Sequence, residues 1–237
     1  MELKNNVAIV TGAGRGIGRA VAVALAGRGM RVVLAARTVK QIKEAVGQIN
    51  KTGGCALAVQ TDITSEEGVK NLIKETVRKF GRIDVLINNA GAGFAKPILE
   101  TTLKDWNLAV DTNLKGMFLC SKCAAKEMIK QKSGAVINIA SVAGTKGYLH
   151  QGAYCASKHG AVGFSRVLAM ELKPYGIKVH TINPGGVDTL LIDGIRPDIP
   201  KKDLMRCENI ADLVIFLLTQ PSCATIEEVT VTRFVAK

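Results

Sequence analysis

The 237-residue sequence predicts an α/β fold: a single doubly wound parallel sheet of about seven strands, flanked by helices on both faces. Three observations carry that expectation. Apolar β-runs and helical patterns alternate from one end to the other, and each parallel crossover needs a helix to return the chain. The β-runs are continuously apolar, as strands covered on both faces require. Hydrophobic residues reach 47% against 22% charged, which excludes a disordered chain. A chain of this length buries well over half of its unfolded surface, so its core needs no disulfide or metal staple.

The elements follow in order. The first β-run, residues 7–10 (Val-Ala-Ile-Val), passes through a glycine-rich turn into a helical pattern at 17–28. Strand 32–36 precedes helix 39–51, strand 56–59 precedes helix 65–80, and strand 85–87 leads to a long helical pattern over 103–129. Strand 136–140, helix 153–172, strand 179–182, helix 208–218 and strand 226–231 complete the series. Residues 184–202, rich in proline and glycine, read as an irregular loop on the C-terminal side of a strand. Ligands of open α/β sheets bind at that edge, so residues 184–207 are expected to form a short substrate-side lid on one domain spanning 1–237.

The charge of +12, from 32 basic and 20 acidic residues, is spread over both halves of the chain. Nucleic-acid binders gather cations on one face, often beside aromatic stacking partners. Here the aromatics are few and do not interleave with the basic residues, so nucleic acid is not an expected partner. No apolar run is long enough to span a membrane, and no secretory leader is visible, which points to the cytoplasm. The six cysteines are expected to be reduced. Cys120 and Cys123 form a C-x-x-C inside a helical pattern, with no second pair or His cluster to complete a metal site. His150, His159 and His180 read as structural, although His150 or Gln151 stands close enough to Tyr154 in sequence to touch a substrate. Met170 and Met205 read as core or lid fillers.

The turn after the first strand is Thr11-Gly12-Ala13-Gly14-Arg15-Gly16-Ile17-Gly18. Glycines there allow a pyrophosphate to approach the backbone, and the helix that follows offers free N–H groups and the positive end of its dipole. The spacing Gly12-x3-Gly16-x-Gly18 resembles the short-chain dehydrogenase/reductase family, whose dinucleotide-binding fold is of the Rossmann type. At the end of the second strand, an NAD site would carry Asp or Glu for the ribose 2′-hydroxyl. This chain has Arg37-Thr38 instead. A guanidinium grips a 2′-phosphate through paired charge-assisted bonds, and Arg15 stands where it can reach the same group, so NADP(H) is the expected cofactor.

The resemblance extends over residues 6 to about 218. It implies that Asp62 and Ile63 contact the adenine, although Asp62 reads equally well as the N-cap of the helix that starts near Ser65. It assigns Asn88-Asn89-Ala90-Gly91 to stabilising the sheet and lining the cofactor groove. Pro184, Gly185, Val187 and Thr189 are placed at the nicotinamide carboxamide and pyrophosphate. Tyr154 and Lys158 stand four apart, on one helical face. A phenol ordinarily titrates near 10, and a neighbouring cation favours its ionised form, so Lys158 is expected to lower the Tyr154 pKa. By resemblance, Tyr154 is the general acid, Ser141 hydrogen-bonds the same substrate oxygen, and Lys158 also holds the nicotinamide ribose. Asn113 anchors a water that relays protons to Lys158.

The implied activity is NADPH-dependent reduction of a carbonyl to a hydroxyl, of the 3-oxoacyl-(acyl-carrier-protein) reductase type. Dehydrogenation of small 3-hydroxy acids or other alcohols is one alternative, and an inactive cofactor-binding regulator is another. The substrate is a small carbonyl or hydroxyl compound, free or bound to acyl carrier protein, for which Lys132 and Lys173 are candidate contacts. The C-terminal sequence from Ile226 to Arg233 lacks the Gly-Gly pair of many 3-oxoacyl reductases. The family pairs its long helices between subunits, so a homodimer or homotetramer is expected. No metal is called for.

Overall fold

The computed structural model describes residues 1–234. Seven strands form one parallel sheet: β1 (Val7–Thr11), β2 (Arg31–Ala36), β3 (Cys55–Gln60), β4 (Val85–Asn88), β5 (Gly134–Ile139), β6 (Ile177–Pro184) and β7 (Glu228–Val231). Their order is β3-β2-β1-β4-β5-β6-β7. The chain winds outward from β1 to β3, then returns and winds the other way from β4. The topological switch therefore lies between β1 and β4, where Ala8, Ile9 and Val10 pair with Val85, Leu86 and Ile87. Ligand crevices open above the carboxyl ends of the strands at such a point.

Both faces of the sheet are covered. Helices α1 (Gly16–Gly27), α2 (Val39–Lys51) and α8 (Cys207–Leu218) pack Val21, Leu25, Ile42, Ile49 and Val214 against Ala8, Val10, Val32 and Leu34. On the opposite face, α3 (Glu66–Phe80), α5 (Gly116–Gln131) and α6 (Gly152–Leu172) pack Leu72, Met128 and Leu168 against Ile9, Val33 and Leu86. Neighbouring residues of one strand enter opposite cores, which explains the continuously apolar strand sequences. Each fully buried Leu or Ile contributes roughly 1.5–3 kcal/mol over exposure. Among the described residues, no helix is long and apolar enough to cross a membrane.

Two elements that border the cleft differ from the sequence expectation. The helical pattern over 103–129 is not one regular helix. It begins as α4 (Leu103–Val110) behind a Thr102/Asp105 capping box, widens into a π turn over Asp111–Lys115, and continues as α5. A π turn inserts one residue without changing the apolar face strongly, so periodicity alone does not reveal it. Within the loop 184–202 lies a short helix, α7 (Leu190–Ile195), started by the Thr189 hydroxyl accepting from the Ile192 N–H. Six residues are too few to register as a helical period. Strand β7 begins at Glu228, two residues later than expected. The carbonyl of Ile226 instead lies 2.7 Å from His180 Nδ1.

Candidate active site

The glycine turn is built by the first crossover. Gly12 has φ +65° and Gly16 φ +56°, values at which any side chain would be strained. A Cβ on Gly18 would lie 2.5 Å from the Gly12 carbonyl oxygen, so α1 packs directly under the turn. Asn89 pins the turn to β4: its Nδ2 donates to Thr11 O at 2.9 Å, while Thr11 Oγ1 accepts from the N–H groups of Asn89 and Ala90. Asn88 points the other way, donating to Ser121 Oγ and Asn138 Oδ1 inside the sheet layer. The residue before α1 is Arg15, and no side chain caps that helix. Its first N–H groups therefore face the cleft free of side-chain partners.

Arg15 and Arg37 are both exposed, and neither forms an ion pair among the described residues. Thr38 stands before α2 without capping it. Asp62 is not the cap of α3. That role falls to Ser65, which accepts from the Gly68 N–H, while Asp62 accepts from both the backbone and the hydroxyl of Thr64. Those bonds from Thr64 hold the Asp62 carboxyl below its ordinary range, and the charge of Arg37 adds to the effect. Ile63 is buried beside it, packed over the glycine surface of Gly116.

Ser141, Tyr154 and Lys158 line the far end of the same cleft. Tyr154 is 6% and Lys158 4% exposed. The ammonium of Lys158 donates to Ile139 O at 3.0 Å and lies 5.8 Å from the Tyr154 ring centroid. Burial pushes the phenol up to about 12, with the adjacent Ser141 hydroxyl pulling the other way. Burial also pulls Lys158 down to about 8. This corrects the sequence expectation. Desolvation disfavours both charged forms, and it outweighs any lowering of the phenol by the cation.

Asn113 sits in the π turn, a departure from helix geometry that recurs at functional sites. Its Oδ1 accepts from Ala92 N at 2.8 Å, and its Nδ2 donates to Ala92 O and Ser157 Oγ. That side chain is thus committed to fixing the segment after Gly91. A Cβ on Gly91 would lie 3.1 Å from Asn113 Oδ1 and 3.8 Å from Lys158 Nζ, so Gly91 keeps the space between them open.

After β6, Pro184, Gly185, Val187 and Thr189 line the cleft. The Thr189 methyl would lie 3.3 Å from a Cβ on Gly16, which sets the start of α7 against the phosphate turn. At its other end α7 buries Ile195 against Tyr154, Cys155 and Ala143. A Cβ on Gly93 would lie 2.5 Å from Ile195 Cδ1 and 2.8 Å from Tyr154 Cδ2. Sequence reading missed Gly93, Tyr148 and Ile195 as walls of the reacting end, because no local spacing ties them to Tyr154.

Several expectations about accessory residues change. Gln151 lines the cleft and His150 does not. His159 Nδ1 lies 2.9 Å from Cys155 O, a contact within its own helix. Lys132 and Lys173 close the ends of α5 and α6, by the starts of β5 and β6 and thus at the edge opposite the cleft. The cations that line the cleft mouth are Lys146, Arg196, Lys201 and Arg233. Met170 is largely exposed rather than a core filler. Burial pushes the Cys120 thiol up to about 12, which keeps it from acting as a thiolate. Among the described residues no cluster of His, Cys, Asp or Glu could hold a metal.

The cleft encloses ≈ 1290 Å³, more than the roughly 300–1,000 Å³ of a site for one small ligand. It runs from Arg37 past the uncapped N-terminus of α1 to Lys158 and Tyr154. Length, open helix N–H groups and glycine-rich turn together fit a dinucleotide with a second molecule beside it.

Comparison with known proteins agrees with this geometry. The short chain dehydrogenase family model matches residues 6–200. A 3-oxoacyl-[acyl-carrier-protein] reductase of Synechocystis is 42% identical, covering 94% of this chain and 93% of its own. An uncharacterised oxidoreductase of Staphylococcus aureus is 36% identical, covering 97% of each chain. Among solved structures, a metagenomic short-chain oxidoreductase in complex with NADP is 32% identical and superposes with a TM-score of 0.87 over 100% of both chains. Levodione reductase is 31% identical with a TM-score of 0.90, over 97% of this chain and 96% of that one. The chain belongs to the short-chain dehydrogenase family and is an oxidoreductase.

Proposed function

With family membership as the premise, we propose that this chain is an NADP(H)-dependent reductase that converts the carbonyl of a 3-oxo compound, free or carried as an acyl thioester, to a hydroxyl. The observation that carries the reading is one cleft with two unlike ends. Arg15 and Arg37, without ion-pair partners among the described residues, stand at one, where the end of β2 carries Arg37-Thr38 and no Asp or Glu, and buried Tyr154 and Lys158 stand at the other. The NADP complex of the metagenomic relative and the reductase name of the Synechocystis protein support it.

Arg15 and Arg37 hold the 2′-phosphate by charge-assisted hydrogen bonds, and Thr38 stands beside them. Gly12, Gly14, Gly16, Ile17 and Gly18 present backbone to the pyrophosphate, with the α1 N-terminus behind it. Asp62 and Ile63 border the adenine, and Asn89, Ala90 and Gly91 line the groove beneath. Pro184, Gly185, Val187 and Thr189 border the nicotinamide end. When bound, NADPH supplies the hydride that adds to the carbonyl carbon.

At that carbon's oxygen, Ser141 and Tyr154 are the donors. A phenol near 12 is fully protonated at neutral pH, so Tyr154 carries the proton that the new alkoxide takes up. The phenolate left behind is stabilised by Lys158, still mostly cationic below pH 8. Asn113 holds Ala92 and so fixes the floor between Lys158 and the cofactor groove. The enzyme acts as one domain, with residues 184–207 as its substrate-side lid. Exposed Phe118 and Val167 on the long helices α5 and α6 fit a homodimeric or homotetrameric assembly. The test follows NADPH oxidation with an acetoacetyl thioester, a small 3-oxo acid and simple ketones. Turnover of the thioester above that of the ketones is expected, and inertness toward all three overturns the reading.

A further inference from the structure

Gln151 lies 4% exposed beside Tyr154 and lines the cleft. Its backbone is committed, with its N–H donating to Tyr148 O and its carbonyl accepting from Cys155 N. Its carboxamide makes no hydrogen bond among the described residues, and it does not cap α6. Two other amides show the contrast. Asn89, also on the cleft, donates to Thr11 O and Gly12 O. Gln131 bonds both the N–H and the carbonyl of Ile83. Buried amides are ordinarily satisfied, and one that is not calls for a partner. Nor is this amide sealed in the interior, as Asn88 Oδ1 and Asn183 Oδ1 are; it borders the open space where a substrate enters.

Ala143, Ile195, Tyr148 and Leu191 give the cleft an apolar wall beside Tyr154. Ser141 and Tyr154 supply donors for one oxygen. Gln151 stands one helical turn before Tyr154, on the same face, which suits a second oxygen one or two carbons away. We propose that Gln151 is a specificity-determining residue whose Nε2–H binds the ester or thioester carbonyl oxygen of a 3-oxo substrate. This deepens the reductase reading and rests on it. The amide is neutral, so it suits a neutral carbonyl oxygen, whereas a carboxylate would call for a cation in its place.

The test compares ethyl acetoacetate with 2-octanone, a ketone of equal heavy-atom count lacking the ester oxygens. Both are titrated by NMR into the wild-type chain and into Gln151→Leu and Gln151→Met, with and without saturating NADP+, and their turnover with NADPH is measured in parallel. Because Gln151 caps nothing, both variants are expected to fold as the wild type does, which thermal unfolding verifies. A single hydrogen bond to a neutral acceptor is worth about 3–10-fold. The dissociation constant of ethyl acetoacetate is expected to rise by about that factor in both variants, with that of 2-octanone unchanged. Equal weakening of both ligands, no weakening of either, or no binding of the ester to the wild type overturns the assignment. Selective weakening in a chain that reduces neither compound supports the Gln151 site and overturns the reductase reading instead.

Discussion

The two ends of the cleft solve opposite physical problems. At the phosphate end Arg15 and Arg37 stand in solvent, without ion-pair partners among the described residues, at a turn whose glycines leave its backbone open. At the reacting end Tyr154 and Lys158 are removed from water, with pKa values driven apart to about 12 and about 8. Exposed charges cost little to keep and are weakened by salt. Buried ones are costly and insensitive to salt, and they respond strongly to the removal of single atoms. The first arrangement suits holding a soluble anion. The second suits holding a proton until a substrate oxygen needs it.

The sharpest way to break this contrast is at the phenol. Tyr154→Phe removes one hydroxyl from a buried site and leaves its volume. Turnover should fall by about 10²–10⁴-fold, with the dissociation constant of NADPH unchanged by fluorescence titration. A comparable loss of NADPH binding would show that the two ends are not separable.

At the other end the loss should be one of binding and not of chemistry. Arg37→Ala is expected to weaken NADPH about 10-fold, and Arg15→Ala similarly, from the loss of charge-assisted bonds discounted for exposure. Affinity for NADH should stay the same, because it lacks the 2′-phosphate. Raising the salt concentration should mimic both substitutions, weakening NADPH and sparing the maximal rate. Titrations of the two cofactors at low and high salt read this directly.

A pH profile sharpens the comparison further. Lys158 titrates at about 8, so its cation is present below that pH and lost above it. The value of kcat/KM for reduction should be level on the acid side of 8 and fall about 10-fold per unit above it, since kcat/KM reports the free enzyme's groups. Tyr154, at about 12, adds no limb in that range. In Lys158→Arg, whose guanidinium keeps its charge, any residual activity should lose the alkaline fall.

The smallest effect concerns stability, and its sign runs against intuition. The folded-state pKa of Lys158 is below its ordinary 10.5, so folding disfavours the ammonium. That cost is present in full below pH 8 and is lifted as pH rises from 8 toward 10.5. At pH 7 it amounts to about 3 kcal/mol, offset in Lys158→Met by about 1–2 kcal/mol for the unpaired Ile139 carbonyl. The inactive variant should melt about 2–8 °C higher at pH 7. Above pH 10 the gain should vanish. Calorimetry at the two pH values checks it, and a lower melting temperature at pH 7 would show that the buried ammonium is not a burden.

Much of the phosphate end was legible in the sequence. The turn from Gly12 to Gly18, the arginine at 37 and the missing carboxylate are local facts, because a strand-to-helix turn and a strand end are each defined by adjacent residues. The pairing of Tyr154 with Lys158 was legible for the same reason: four residues make one helical turn. The reacting end's environment was not. The π turn at Asp111–Lys115 hides in a helical period that it barely disturbs. The helix α7, which brings Ile195 onto Tyr154, is too short to show a period. The commitment of Asn113 to Ala92 and the choice of Ser65 over Asp62 as a cap depend on loop geometry.

The sequence by itself thus determined the alternation of strands and helices, the glycine-rich turn and the spacing of Tyr154 and Lys158, since each rests on contacts between near neighbours in the chain. Only the tertiary structure decided what those side chains experience. Burial raised the phenol and lowered the ammonium, and packing satisfied Asn113 while leaving the Gln151 carboxamide without a partner among the described residues. Desolvation and hydrogen-bond satisfaction are set by segments that meet only when the sheet is wound: β4, β5, α6 and the segment that follows β6.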